Sequence, residues 1–151
     1  MGVMSRRVEE TNRLLLRARD EIDRAYRDPL DVPTLAGIAH QSPAHFIRSF
    51  AAAFGETPHR YLQRRRVERA MYLLRTTDSS VTDISLEVGF SSLGTFGRTF
   101  RDIVGESPSE HRARGSLGEV PSCFVKAWTR PATSTNNRNF GEADPMVACV
   151  P

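Results

Sequence analysis

Arginine supplies almost all of the positive charge in this chain, so its positions decide what chemistry the chain can do. Twenty of the 21 basic residues are arginines, since Lys126 is the single lysine. The planar guanidinium group binds phosphates and the edges of guanine bases with two parallel hydrogen bonds. Arg48 and Arg98 stand 50 residues apart in the same pattern, F-x-R-x-F. This spacing predicts that both arginines point away from an aromatic helix face.

The other reactive side chains are arranged for neither catalysis nor metal binding. Two cysteines, Cys123 and Cys149, are too few for a disulfide framework or a cysteine-built zinc site. The four histidines lack metal-ligand spacing with carboxylates or cysteines, and Cys123 has no base near it in sequence. The sequence also has no glycine loop of the phosphate-cradling type. We therefore expect a protein that needs no metal or cofactor, and an enzyme with Cys123 as nucleophile is the remotest alternative.

Composition and charge limit the classes of protein further. The chain has 151 residues, of which 39% are hydrophobic and 26% charged, as in a soluble globular protein. No apolar run approaches the ~20 residues of a membrane span, and the start, MGVMSRRVEE, has no signal-peptide core. We expect a cytoplasmic protein without a membrane partner. The net charge of +3 names no partner, but residues 43–75 hold seven arginines against Glu56 and Glu68, whereas residues 76–117 hold four against six acids.

Helical periodicity, capping residues and prolines predict seven helices and no strand before residue 116. The predicted helices span about residues 6–27, 33–40, 43–54, 58–75, 81–88, 92–104 and 108–114. Residues 116–151 are rich in proline and short polar residues, which predicts a largely irregular tail. The apolar segment 124–128 is the local exception, for which docking on the domain and a short strand are both open.

An internal repeat at an offset of 50 residues organises the predicted helices. G-E-T-P at 55–58 matches G-E-S-P at 105–108, and the F-x-R-x-F pattern recurs at the same offset. Unit one (residues 32–58) and unit two (residues 81–108) are each a short helix, a tight turn and a longer helix, the order of a helix-turn-helix. The helix between them spans ~27 Å, close to one DNA turn of ~34 Å. The competing interpretation is a helical bundle with a duplicated hairpin, because phenylalanine stripes alone indicate only a core.

The outward positions of the longer helix in each unit are the candidate base-reading residues. Small side chains let a helix approach the floor of the major groove, and an arginine can then reach a base edge. The candidates are Ala44, His45, Ile47 and Arg48 in unit one and Leu93, Gly94, Thr95, Gly97 and Arg98 in unit two. For Arg98 the alternative is an ion pair with Asp102. Because Gly94 and Gly97 carry no side chain, we expect weaker readout by unit two, unless these glycines bring the backbone close to the sugar-phosphate.

Candidate phosphate contacts lie at two helix starts and along the linker helix. Thr57 and Ser107 cap helices whose free N–H groups can point at phosphate. Five arginines crowd residues 60–69, so some must face solvent or acids such as Glu68, while one or two are expected to contact phosphate. The full set of candidates is Thr57, Arg60, Arg64, Arg65, Ser107 and Arg112.

These motifs, in this order, resemble the DNA-binding domain of the AraC/XylS family of bacterial transcription regulators. The resemblance is carried by L-A-G-I-A-H-Q-S-P-A-H-F-I-R-S-F at 35–50 and I-S-L-E-V-G-F-S-S-L-G-T-F-G-R-T-F at 84–100, each followed by its G-E-[ST]-P segment. It implies an all-α, homeodomain-like fold of seven helices, in which a long linker helix joins two helix-turn-helix units. The domain would span residues 6–115.

The resemblance also implies a function. It predicts a sequence-specific regulator that places both recognition helices in successive major grooves of double-stranded DNA and activates RNA polymerase. One chain holds both readers, so we expect a monomer, and 36 tail residues leave no room for a small-molecule effector domain. The family often has glycine where unit one has His40, while Gly89 keeps it in unit two. The rival hypothesis is a protein-interaction module derived from such a regulator, motivated by the weak unit two and the apolar segment 124–128.

Overall fold

Seven α-helices and no strand make up the part of the chain that the structure describes. The computed structural model describes residues 2–115, with side chains from residue 5 onward. The helices are α1 (Gly2–Ala25), α2 (Val32–Ile38), α3 (Pro43–Phe54), α4 (Pro58–Thr76), α5 (Val81–Glu87), α6 (Leu93–Val104) and α7 (Pro108–Gly115). The predicted all-α fold with two helix-turn-helix units is therefore confirmed. The tail and its segment 124–128 lie outside the described residues.

Local sequence explains where these helices begin and end. The N-terminal caps of α2 to α6 are polar side chains, and each accepts a hydrogen bond from a backbone N–H of its own helix. These capping residues are Asp31, Ser42, Thr57, Ser80 and Ser92. Gly55 and Gly105 end α3 and α6 in the left-handed conformation, with φ of +78° and +89°. The boundaries of α1 differ most from the prediction. It starts at Gly2 and ends at Ala25, where a turn begins before Pro29.

Each unit has its own apolar core. The first lies between α1, α2, α3 and the start of α4, and holds Phe46 against Phe50 in an edge-to-face pair with centroids 5.6 Å apart. The second lies between the rest of α4, α5 and α6, where Phe96 and Phe100 repeat the pair at 5.6 Å. All four rings are fully buried. Because the phenylalanines face inward, the opposite faces of α3 and α6 are directed away from the cores.

The long helix α4 belongs to both cores. Tyr61 and Leu62, near its start, are buried in the first core, and Val67, Ala70, Leu73 and Leu74 are buried in the second. Its 19 residues form a rod of ~28 Å. The last helix, α7, packs on α4 and places the ring of His111 5.6 Å from that of Phe100. The helix α4 therefore contributes side chains to both cores.

The turn inside each unit needs a left-handed backbone. His40 has a φ of +54° and Gly89 a φ of +100°, which accounts for the glycine that the family often has at the position of His40. The requirement at Gly89 is stricter than at His40. A Cβ atom on Gly89 would lie 2.7 Å from the carbonyl oxygen of Arg27 and 3.0 Å from Nε of Arg66. Unit two thus touches the end of α1 at a point where no side chain fits.

Candidate nucleic-acid interface

The longer helix of each unit presents its outward face to solvent. All four candidates of unit one are exposed, as are three of the five in unit two, while Thr95 and Gly97 are half-buried. Ile47 and Leu93 keep 37% and 46% of their surface exposed. Aliphatic groups at such positions suit contact with a thymine methyl group. The structure thus gathers the predicted base-reading residues on two equivalent helix faces.

Arg48 and Arg98 are free cations at equivalent positions of these faces. Within residues 5–115, neither guanidinium makes a hydrogen bond or an ion pair. The alternative ion pair between Arg98 and Asp102 is not formed. Instead, Asp102 accepts a hydrogen bond of 2.6 Å from Nη1 of Arg60 on α4. Both arginines are therefore available for a ligand.

Unit two has fewer free side chains than unit one. Ser92 holds Thr95 in place, since its Oγ accepts the Thr95 N–H at 3.2 Å and donates to Thr95 Oγ1 at 2.9 Å. Outside the helix backbone itself, a Cβ atom on Gly94 or Gly97 would meet nothing within 4 Å in the described structure. Internal packing therefore does not require either glycine. Of the predicted base-reading residues, Leu93 and Arg98 give unit two its exposed side chains.

The two predicted phosphate-facing helix starts differ in charge. Thr57 and Ser107 cap α4 and α7, accepting N–H bonds of 3.3 Å and 3.2 Å. At α7 the carboxylate of Glu110 also accepts the N–H of Ser107 at 2.7 Å, and this bond lowers the pKa of Glu110. This pair is a capping box, and its negative charge argues against the predicted phosphate contact of Ser107. At the equivalent position α4 carries Arg60, whose charge favours phosphate near Thr57. The S-x-x-E pattern at 107–110 is the sequence signal for this capping box.

Arg64, a predicted phosphate contact, is buried inside the fold. Its side chain is 3% exposed and bonds the carboxylates of Glu56 and Glu68, each at 2.6 Å. Burial opposes its charge, but the two carboxylates outweigh that effect and raise the pKa of Arg64. The guanidinium also lies 4.9 Å from the ring centroid of Tyr61. This position argues against phosphate contact, because Arg64 has almost no surface to offer.

The remaining arginine candidates bind partners within the protein. Arg65 bonds Asp23 and Glu68, each at 2.7 Å, and is one-third exposed. The guanidinium of Arg112 donates to the carbonyl oxygens of Leu74 and Ser79, which joins α7 to the end of α4. The pair between Arg60 and Asp102 is exposed on both sides. Of these three cations, Arg60 can most easily exchange its partner for a phosphate.

Comparison with known proteins agrees with this geometry. A family model described as a helix-turn-helix domain matches residues 35–114, more than half of the chain. An AraC-type DNA-binding domain-containing regulator from Chromobacterium violaceum has a solved structure that is 29% identical, with a TM-score of 0.64, covering 70% of this chain and 95% of that one. The DNA-binding domain of AdpA, a global transcriptional factor solved in complex with a target DNA, is 32% identical, with a TM-score of 0.62 and coverage of 68% and 95%.

The chain belongs to the AraC-type family of helix-turn-helix transcriptional regulators. This family and fold are those of DNA-binding regulators, not of enzymes. Among curated proteins, an uncharacterized HTH-type transcriptional regulator of Haemophilus influenzae is 38% identical over 86 residues, and one of Staphylococcus aureus is 32% identical over 93 residues. These matches cover 57% and 62% of this chain. They span 29% and 12% of the length of the two relatives.

Two kinds of site are absent from the described residues. No helix among residues 2–115 is long and apolar enough to cross a membrane. In the same stretch, no three side chains of His, Cys, Asp or Glu are grouped so that they could hold a metal ion.

Proposed function

We propose that this protein is a cytoplasmic transcription activator that binds double-stranded DNA sequence-specifically through residues 6–115. α3 and α6 enter two successive major grooves on one side of the duplex, and one chain provides both readers. Binding needs no cofactor, and activation follows from contact with RNA polymerase. The tail, residues 116–151, lies outside this DNA-binding unit.

One observation carries the proposal. Arg48 and Arg98 occupy equivalent positions on two exposed helix faces, and neither has a protein partner within residues 5–115. An arginine in such a place on a recognition helix is suited to bidentate contact with guanine. The related domain of AdpA was solved on a target DNA, which supports the same use of this fold. The rival hypothesis of a protein-interaction module has no comparable support.

The two units contribute unequally in this proposal. Unit one combines four exposed candidates on α3 with Arg60 at the start of α4. Unit two has two glycines on α6 and Glu110 at the start of α7, whose carboxylate repels phosphate. We therefore assign most of the base and phosphate contacts to unit one. Unit two adds a second, weaker half-site that depends on Leu93 and Arg98.

The proposal is tested by selecting bound sites from a random DNA pool and titrating salt on the best site. We expect one preferred sequence with two half-sites. The logarithm of the binding constant should fall steeply and linearly with the logarithm of the salt concentration, because phosphate contacts release counterions. Transcription from a promoter bearing that site, with purified RNA polymerase, then tests activation. Failure to bind any DNA at low salt would refute the proposal and favour the interaction module.

Replacing Arg48 by alanine is expected to weaken binding to the selected site by about 1–3 kcal/mol and to relax the preference at one base pair. The reason is that Arg48 is exposed, unpaired within the described residues and placed to reach a base edge. The measurement is competition binding against the full set of single-base variants. Arg98→Ala should have the smaller effect, because unit two contributes less.

Arg17→Ala is the charge-matched control for Arg48→Ala. Arg17 is exposed on α1, so its loss removes the same charge without touching either reader. We expect it to weaken specific and random DNA to a similar, small extent. Equal losses on specific and random DNA for Arg48→Ala would mean that Arg48 contacts phosphate and reads no base.

A further inference from the structure

The end of α1, the linker helix α4 and unit two meet at a small joint, which we define as residues 26–28 after α1, Arg66 on α4, and residues 89–90 of unit two. Backbones approach closely there, since a Cβ atom on Gly89 would lie 2.7 Å from the carbonyl oxygen of Arg27. Two exposed ion pairs also connect the end of α1 and the start of α4 to unit two. Arg27 reaches Glu87 at 3.6 Å, and Arg60 reaches Asp102 at 2.6 Å. Exposed pairs of this kind contribute little to holding two bodies in one orientation.

Arg66 is the half-buried member of the joint. Its Nε donates to the carbonyl oxygen of Tyr26 at 2.6 Å, and its Nη2 donates to that of Asp28 at 2.9 Å. Both carbonyls follow the last residue of α1, where the helix dipole is negative. The Asp28 carbonyl also accepts the backbone N–H of Leu30 at 2.8 Å. The guanidinium of Arg66 places a positive charge at this negative helix end and bonds two carbonyls at once. Charge-assisted hydrogen bonds of this type are stronger than those between neutral groups.

The same guanidinium also lies against unit two. Its Cζ is 5.8 Å from the ring centroid of Phe90, and that ring packs edge-to-face on Phe96 with centroids 5.2 Å apart. Phe96 is fully buried on the inner face of α6. A continuous series of contacts therefore runs from the end of α1, through Arg66 and Phe90, to the recognition helix of unit two. The planar, bidentate guanidinium allows little rotation between the parts that it joins.

We propose that Arg66 is a positioning residue that fixes the rotation and separation of α3 and α6, and thereby sets the half-site spacing that the protein accepts. This role in DNA recognition rests on the function proposed above. Arg66 itself points into the joint and contacts no DNA. Its loss should leave each reader intact and should loosen the relation between the two readers.

The first test needs no DNA. Spin labels are placed at Ala52→Cys on α3 and Arg101→Cys on α6, both exposed positions, with Cys123 and Cys149 changed to serine. Pulsed dipolar spectroscopy on the full chain should give a narrow distance distribution for the parent and a distribution at least twice as wide for Arg66→Met. Arg60→Met, which removes the exposed pair with Asp102, is the matched control and should stay narrow. An unchanged width in Arg66→Met would overturn the proposal.

Folding has to be separated from positioning. Far-ultraviolet circular dichroism must show that Arg66→Met keeps the helical content of the parent. If that variant does not fold, Arg66→Lys takes its place, because one ammonium group keeps the charge but cannot fill both carbonyl acceptors in the fixed fork geometry. We expect an intermediate width for Arg66→Lys. A width equal to that of the parent in a folded lysine variant would count against the role of the bidentate geometry.

The second test uses the selected DNA site with one base pair inserted or removed between the half-sites. One base pair moves a half-site by ~3.4 Å and rotates it by about a tenth of a turn. We expect the wild type to lose at least tenfold in affinity on the altered spacings, and Arg66→Met to discriminate among spacings by less than threefold. Equal spacing ratios in the two proteins would overturn the spacing role. If the wild type selects no site at all, the proposed function fails, whereas the label distances still decide whether Arg66 positions the readers.

Discussion

Replacing Gly89 by alanine is expected to lower the free energy of unfolding by about 3 kcal/mol. Two effects combine at this position. The φ of +100° is one that residues with a Cβ atom rarely adopt, and the new methyl group would lie 2.7 Å from the carbonyl oxygen of Arg27. That oxygen belongs to the backbone, so relief of the clash requires the end of α1 or the turn of unit two to move. Urea denaturation of the purified variant measures the loss.

Gly105→Ala is the matched control for Gly89→Ala. Gly105 has a similar φ of +89°, but a Cβ atom there would meet nothing within 4 Å in the described structure. Its replacement should therefore cost only the backbone strain, about 1 kcal/mol. The difference between the two variants isolates the cost of the close approach. Equal losses at the two positions would show that the contact with Arg27 does not constrain the turn.

Replacing Arg64 by alanine is expected to lower the free energy of unfolding by about 2–4 kcal/mol. The 3% exposed guanidinium compensates the carboxylates of Glu56 and Glu68, which are themselves 21% and 27% exposed. Truncation leaves both carboxylates without their shared partner and creates a cavity. Because the two carboxylates are partly exposed, water reduces the loss of stability. In the fraction that remains folded, the salt dependence of DNA binding should match that of the wild type, because Arg64 lies below the surface.

A triple variant separates the charge effect from the cavity effect. Arg64→Met combined with Glu56→Gln and Glu68→Gln fills the space and removes all three charges, and we expect it to recover most of the lost stability. Arg48→Ala provides the opposite pattern, with DNA affinity lost and stability kept. If Arg64→Ala left stability unchanged while reducing the salt slope by about one, Arg64 would be a phosphate contact after all.

The helices and their inward faces could be predicted because their determinants are local. Ser42 followed by Pro43 specifies the start of α3, and phenylalanines at i and i+4 specify which side of α3 faces the core. Because α6 repeats the sequence pattern of α3, the same reasoning applies to α6. Helix α1 ends at Ala25, two residues before the predicted end. The turn at residues 26–28 accepts hydrogen bonds from Arg66, some 40 residues away in sequence. No local pattern carries that information.

The candidate base-reading face was also predictable, whereas the roles of the linker arginines were not. Exposure of Arg48 and Arg98 follows from their place opposite the phenylalanines. By contrast, Arg64, Arg65 and Arg66 are consecutive, and their environments depend on what packs around α4 at each angle. Arg64 is buried between two glutamates, and Arg65 forms an ion pair with Asp23 of α1. Arg66 donates hydrogen bonds to the backbone that follows α1. Their charges alone could not distinguish these three roles.

The duplicated units look modular, but the helix between them makes them inseparable. Tyr61 and Leu62 fill one core and Val67 to Leu74 fill the other, on a single uninterrupted helix. A chain cut after α4 would leave in water the apolar surface of α4 that faces the second core, and a chain that began at unit two would lack α4 and so one side of that core. Either reader alone is therefore an incomplete folding unit. Substitutions that change base preference without cost to stability are therefore expected on the outward faces of α3 and α6, which neither core uses.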